Sequence, residues 1–197
     1  MDIAIIKYNA GNIQSVLYAL DRIGAKALVT DDVEAIRSAD RVIFPGVGEA
    51  STAMEYLRTR GLDRVIRELT QPVLGICLGM QLMCRHSEEN DTQCLGIFNE
   101  DVRRFDAEGE NFKIPQIGWN TIRDLRGDIF DRVPESSYCY FVHSYHASLG
   151  AHTIAVTDYI TPYSSALQKD NFTGVQFHPE KSAVVGERIL RNFLSRY

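Results

Sequence analysis

Cys77, His178 and Glu180 are the residues of this chain whose types and surroundings suit nucleophilic chemistry on an amide. The run Val73-Leu74-Gly75-Ile76-Cys77-Leu78-Gly79-Met80-Gln81 reads as a strand, a sharp turn and a helix, with glycines two residues to either side of the cysteine. Small residues there let the backbone fold back and lift one side chain above a sheet, the geometry of a nucleophile elbow. The thiol then stands at a helix N-terminus, whose partial positive charge favours a thiolate. The alternative is a buried, inert thiol, and that is the reading for Cys84, Cys94 and Cys139, which lack the glycines. Cys84 falls two turns further along the same expected helix, about 10 Å between Cα atoms and too far for a disulfide with Cys77.

A thiolate attacking an amide needs a group that takes and returns a proton, and that group must be held in one tautomer. His178-Pro179-Glu180 offers both functions. A strand over Gly174–Phe177 would deliver His178 at its end, and in extended chain residues two apart face one side, which aims Glu180 at one imidazole nitrogen and leaves the other for sulfur. Alone, this tripeptide suits a surface turn equally well. Phe44-Pro45-Gly46-Val47-Gly48 reads as a strand ending in a glycine loop, and its backbone N–H groups, with that of Leu78, are candidates to hold an oxyanion. A phosphate loop is the poorer reading, because Gly46-x-Gly48-x-x-Ser51 lacks the third glycine of the dinucleotide fingerprint and no Gly-Lys-Ser/Thr follows. His143-x-x-His146 hints at metal, but no third ligand stands at an evident spacing. The chemistry as read needs neither metal nor cofactor.

These groups need a scaffold. Apolar runs at Met1–Ile6, Ala27–Val29, Arg41–Phe44 and Pro72–Ile76 alternate with helical periodicity at Ile13–Ile23, Asp32–Ser38, Glu49–Thr59 and Leu62–Leu69, the pattern of a parallel sheet. Gly24 is placed to stop the first helix. After a helix over Leu78–Arg85, the strands Asp101–Phe105, Trp119–Ile122, Tyr138–Val142, Thr153–Thr157, Ser165–Gln168 and Gly174–Phe177 precede a last helix over Ser182–Ser195. The expected fold is α/β: one domain over 1–197 with a largely parallel but mixed open sheet flanked by helices. At 197 residues, with 45% hydrophobic and 24% charged residues, the chain is globular rather than disordered. Its net charge of −5 excludes a bulk electrostatic grip on nucleic acid. No apolar run is long enough for a membrane span and the opening residues do not suit a signal peptide, so a cytoplasmic location is expected.

Taken together, Pro45-Gly46-Val47-Gly48, Gly75-Ile76-Cys77-Leu78-Gly79-Met80-Gln81 and Gln176-Phe177-His178-Pro179-Glu180 resemble the triad-type class I glutamine amidotransferases in order and separation. Ile117-Gly118-Trp119-Asn120, Tyr140-Phe141-Val142-His143-Ser144-Tyr145 and Lys181-Ser182 further resemble that family's glutaminase subunits of imidazole glycerol phosphate synthase, across essentially the whole chain. The opening departs from the family's D-Y-G-x-G-N, carrying Lys7-Tyr8-Asn9-Ala10-Gly11-Asn12. The resemblance implies a flavodoxin-like architecture, a glutamyl thioester on Cys77, proton shuttling by His178 oriented by Glu180, and an oxyanion hole from the N–H groups of Val47 and Leu78. It implies glutamine recognition by Gly48, Gln81, Glu89, Ser144 and Tyr145. It also implies a heterodimer with a (β/α)8 cyclase subunit, meeting it through Asn12, Trp119, Tyr140 and Lys181, although a core position suits the single tryptophan equally well. The competing readings are a paralogue feeding ammonia to another synthase, a stand-alone cysteine amidohydrolase, and a non-enzymatic subunit that kept the fold.

Overall fold

The computed structural model describes residues 1–9, 13–107 and 112–195. Its first half alternates as expected: β1 (Ile3–Ile6), α1 (Ile13–Arg22), β2 (Ala27–Thr30), α2 (Val33–Ser38), β3 (Arg41–Gly46), α3 (Ala50–Thr59), α4 (Leu62–Glu68), β4 (Val73–Cys77) and α5 (Leu78–Met83). Gly24, at φ +77°, ends the turn after α1, where left-handed backbone suits glycine. The second half is strand-rich: β5 (His86–Ser87), β6 (Thr92–Gln93), β7 (Asp101–Arg104), β8 (Gln116–Ile122), β9 (Ser137–His143), β10 (Tyr145–Ala147), β11 (Thr153–Asp158), β12 (Pro162–Lys169) and β13 (Phe172–Val175), closed by α6 (Ala183–Ser195).

The main sheet runs β2-β1-β3-β4-β13-β12-β10-β7-β5-β6, with β11 paired to β12, while β8 and β9 form a separate hairpin sheet. Pairing from β2 through β13 is parallel, and it turns antiparallel at β12 and β10. Both faces are covered, so alternate residues of one strand enter different cores. Ala4 and Ile6 of β1 pack with Met54 of α3 and Ile66 of α4. Ile3 and Ile5 join Leu20 of α1 and Phe193 of α6 on the other face, where Phe141 and Ile122 of the hairpin also pack.

Several boundaries differ from the sequence reading, and the short strands β5, β6 and β10 were not expected; three of the differences shape the site. α5 stops at Met83, since Arg85 N–H bonds Glu100 O and Gly96 N–H bonds Cys84 O, drawing the chain into the β5–β6 excursion. β13 stops at Val175: Gln176 N–H still bonds Ser165 O, but His178 N–H bonds Tyr140 O of β9 at 2.9 Å. β8 begins earlier than expected, at Gln116, because it pairs along the full length of β9, from Gln116 opposite His143 to Ile122 opposite Ser137. Among the described residues no helix is long and apolar enough to cross a membrane.

Candidate active site

Cys77 ends β4 and stands at the N-cap of α5 with φ 53° and ψ −109°, a conformation costing about 1–3 kcal/mol that persists where the surroundings over-determine it. The glycines around it are held by packing. A Cβ on Gly79 would lie 1.8 Å from the Phe44 carbonyl oxygen, and one on Gly75 would lie 2.2 Å from Met83 Cε. Strand register sets the rest of the site: β3 places Gly46 opposite Cys77, and β13 places Val175 opposite Ile76. The Gly46-Val47-Gly48 segment therefore leaves the sheet on one flank of the sulfur, and the Gln176–Glu180 segment leaves on the other.

His178 Nδ1 lies 2.7 Å from Glu180 Oε1, and the two residues are 1% and 7% exposed. The expected contact is present, but its geometry is not extended. Pro179–Lys181 forms a 3-10 turn, closed by Lys181 N–H to His178 O at 3.0 Å. Pro179 starts the turn with its fixed φ, which swings Glu180 round beside the ring. A carboxylate at Nδ1 fixes the proton there and frees Nε2 for sulfur. Nε2 has no oxygen or nitrogen partner among the described residues. Burial opposes protonation of the ring, but the charge and hydrogen bond of Cys77, followed by those of Glu180, raise its pKa to about 10. The ring is thus held as imidazolium whenever the sulfur is charged.

Cys77 opens on a cavity of about 300 Å³ lined by Val47, Gly48, Leu78, Gln81, Glu89, Ser144 and Tyr145, with Pro115, Val142 and His143 completing the wall. All the expected oxyanion and glutamine-contacting residues thus meet at one opening, while His178 stands behind the sulfur. Glu89 Oε2 accepts Ala50 N–H at the start of α3 at 2.8 Å. Burial raises the Glu89 pKa, so a cationic group beside it would favour its charged form. The turn carrying Glu89 holds Asn90 and Asp91 at φ 52° and 48°, backbone strain of the kind that gathers at ligand sites. Gln81 Nε2 donates to Tyr145 O at 2.8 Å and to Gln176 Oε1 at 2.9 Å, so its Oε1 is the atom left for a ligand. The two histidines with metal-like spacing both pack against Phe105 and Tyr163, but their contacts differ. His143 Nδ1 bonds Tyr145 O at 2.7 Å, whereas His146 stacks on Phe105 with ring centroids 4.3 Å apart.

Trp119 is 53% exposed and sits on the outer face of the hairpin opposite Tyr140, which removes it from the core. Its ring meets Tyr140 edge-on at 6.0 Å, and Lys181 Nζ lies 5.7 Å from the Tyr140 ring centroid. Ile117 and Tyr138 are exposed on the same hairpin. Asn12 lies outside the described residues.

Two residues of the site went unrecognised in the sequence. Gln176, fully buried, places Nε2 3.6 Å from Cys77 Sγ. Ser182 Oγ donates to His178 O at 2.7 Å and accepts Tyr140 N–H at 3.0 Å, closing a ring with the His178 N–H to Tyr140 O bond. Both stand in motifs that carried the family resemblance, Gln176 before His178 and Ser182 after Lys181, but no role was read for either.

The family model described as glutamine amidotransferase class-I matches residues 5–197. The imidazole glycerol phosphate synthase subunit HisH of Bacteroides fragilis (strain YCH46) is 58% identical over 194 residues, covering 98% of this chain and 99% of the relative. The protein of the same name from Haemophilus influenzae (strain ATCC 51907 / DSM 11121 / KW20 / Rd) is 43% identical over 197 residues, covering 100% and 98%. A solved glutamine amidotransferase structure is alike in fold at a TM-score of 0.74 and 21% identity, covering 97% of this chain and 96% of that one. With the elbow, the imidazole–carboxylate pair and the cavity in place, the chain belongs to the class-I glutamine amidotransferases, in the branch of the imidazole glycerol phosphate synthase HisH subunits.

Proposed function

We propose that this chain hydrolyses L-glutamine to L-glutamate and ammonia at Cys77 and passes the ammonia to a (β/α)8 cyclase partner. That partner would make imidazole glycerol phosphate and an aminoimidazole carboxamide ribonucleotide for histidine biosynthesis. The observation that carries the reading is the buried His178–Glu180 pair behind a strained cysteine that opens on a single cavity. The names of the HisH relatives support the assignment to a synthase complex.

In this reading His178 Nε2 takes the thiol proton and Cys77 sulfur attacks the glutamine side-chain carbonyl carbon. Negative charge moves to the carbonyl oxygen, toward the N–H groups of Val47 and Leu78. The carbon–nitrogen bond breaks as His178 returns the proton to the departing amine, leaving ammonia and a glutamyl thioester. Water then adds to the thioester, giving its proton to His178, and glutamate leaves as the sulfur is released. Glu89 and Gln81 Oε1 suit the substrate ammonium. The face bearing Trp119, Tyr140 and Lys181 suits the cyclase, because exposed aromatic and aliphatic side chains such as Trp119, Tyr138 and Ile117 are the usual anchors of an interface.

Glutamate release, measured for the chain alone and with the cyclase partner and its nucleotide ligand, tests this. Strong stimulation by partner plus ligand, abolished in Cys77→Ala and His178→Ala, is the expected result. Full turnover in either variant overturns the triad, and equal turnover without the partner overturns the coupling.

A further inference from the structure

We propose that the Gln176 carboxamide is a dedicated hydrogen-bond donor to the catalytic sulfur, locked in that orientation by the Tyr145 carbonyl acting through Gln81. The proposal rests on the reading of Cys77 as nucleophile and adds a residue that contacts its reacting atom.

The orientation of both amides follows from one group that can only accept. Tyr145 O is a backbone carbonyl, so the Gln81 atom 2.8 Å from it is the amide nitrogen. The other hydrogen of that nitrogen points at Gln176, 2.9 Å away, where it needs an oxygen. Gln176 therefore turns its own nitrogen to Cys77 Sγ at 3.6 Å. Flipping Gln176 would set N–H against N–H and oxygen against sulfur. The anchor is itself held, because His143 Nδ1 donates to the same Tyr145 carbonyl at 2.7 Å. Gln176 is fully buried and forms no part of the cavity wall, so neither water nor substrate competes for its N–H.

The sulfur is negative twice in the cycle: after its proton passes to His178, and when the sulfur–carbon bond of the thioester breaks and the electron pair returns to it. Between those points it is a neutral thioester sulfur. A fixed N–H donor thus favours the two charged stages, raising the population of attacking thiolate and easing thioester breakdown. Gln81 acquires two tasks, presenting Oε1 to the cavity and setting the donor behind the nucleophile.

The test uses the complete chain, with and without the cyclase partner, in Gln176→Met, Gln176→Glu and Gln81→Met. Two quantities are read: the rate at which iodoacetamide alkylates Cys77 without glutamine at neutral pH, and kcat and KM for glutamine. Loss of a hydrogen bond to a charged group is expected to slow alkylation about tenfold or more in both Gln176 variants and to lower kcat comparably. Gln176→Glu keeps the volume and still accepts from Gln81, so its KM is expected to change less than about threefold while its kcat falls. Gln81→Met is expected to slow glutamine-free alkylation severalfold although Gln81 does not touch the sulfur. Wild-type alkylation in Gln176→Glu, or in Gln81→Met, overturns the relay. So does a loss confined to KM. Cys77→Ala separates this failure from that of the nucleophile reading: if it still turns over glutamine, the nucleophile is wrong, whereas an inactive Cys77→Ala with unaffected Gln176 variants condemns the relay alone.

Discussion

The Tyr8 hydroxyl donates to the Pro45 carbonyl oxygen at 2.6 Å, tying the end of the first strand segment to the start of the oxyanion loop. Burial, and then the charge of Cys77, push the Tyr8 pKa well above its ordinary value, so the phenol stays a donor. Gly46 is what lets the phenol in, since a Cβ there would lie 2.2 Å from the hydroxyl. Tyr8→Phe leaves that anchor unmade, at a cost of about 1–2 kcal/mol in stability. Thermal denaturation is expected to show a lowered Tm, and kcat for glutamine to fall severalfold with KM little changed. An unchanged kcat would restrict Tyr8 to a structural role.

The two elbow glycines are expected to respond differently to alanine. At Gly75 the nearest atom is the end of a flexible side chain, Met83 Cε, whereas at Gly79 it is the backbone oxygen of Phe44. Met83 can swing aside, although Met80 N at 2.9 Å still crowds the site, while β3 would have to shift as a strand. Gly79→Ala should therefore lower stability more than Gly75→Ala, with about 1–3 kcal/mol typical of overpacking at the milder site. Urea denaturation of the two variants measures the difference. Equal midpoints would mean that β3 yields as easily as a methionine.

Acid should destabilise the fold through two buried imidazoles. Burial lowers the His143 pKa to about 3 and the His146 pKa to about 4, from the ordinary 6.5. The unfolded chain then holds protons more tightly than the folded one, so their contribution is present above about pH 6.5 and is lost as pH falls through about 4 for His146 and about 3 for His143. His178 has the opposite sign. Its pKa is raised to about 10, so its contribution is full below about pH 6.5 and is lost as pH rises through 10. Replacing His146 by Phe, which keeps a ring on Phe105, is expected to flatten the acid limb of stability against pH by an amount on the order of a few kcal/mol. An acid limb of unaltered slope would remove His146 from the account.

Partner docking is expected to depend on the hairpin face. Trp119 is the single tryptophan of the chain, and it is exposed beside Tyr140. Trp119→Ala should weaken cyclase binding by about 2 kcal/mol or more, roughly thirtyfold in Kd, and leave the Tm of the isolated chain almost unchanged. Lys181→Ala should weaken it too. The emission of Trp119 is a ready titration signal for the wild-type chain, and an emission indifferent to added cyclase would move the interface elsewhere.

What the sequence made legible was mostly local. The elbow could be read because Gly75, Cys77 and Gly79 stand within one turn of chain, and the β-α alternation because each apolar run announces itself. Glu180 was paired with His178 for the wrong geometric reason. An extended strand end and a proline-started 3-10 turn both bring those residues together, and only the second occurs. Trp119 was ambiguous because a large aromatic suits a core and an interface equally, and the choice depends on which face of β8 turns inward. Gln176 and Ser182 were invisible in a stricter sense. The Gln176 contacts join it to Gln81 in α5 and to the elbow, and those of Ser182 join it to β9. Register between distant segments, rather than residue type, creates both roles.

The ring of bonds through Tyr140, Ser182 and His178 separates two alphabets at one position. The Tyr140 side chain belongs to the outward face, but its N–H and C=O hold Ser182 and the backbone of the imidazole. Recoding the proposed docking surface for a foreign or orthogonal synthase leaves the ring at 140 open to change together with Trp119. Proline there is a different matter, because it removes the amide that Ser182 binds. It would silence the chemistry from the outside of the molecule, with every catalytic side chain still present.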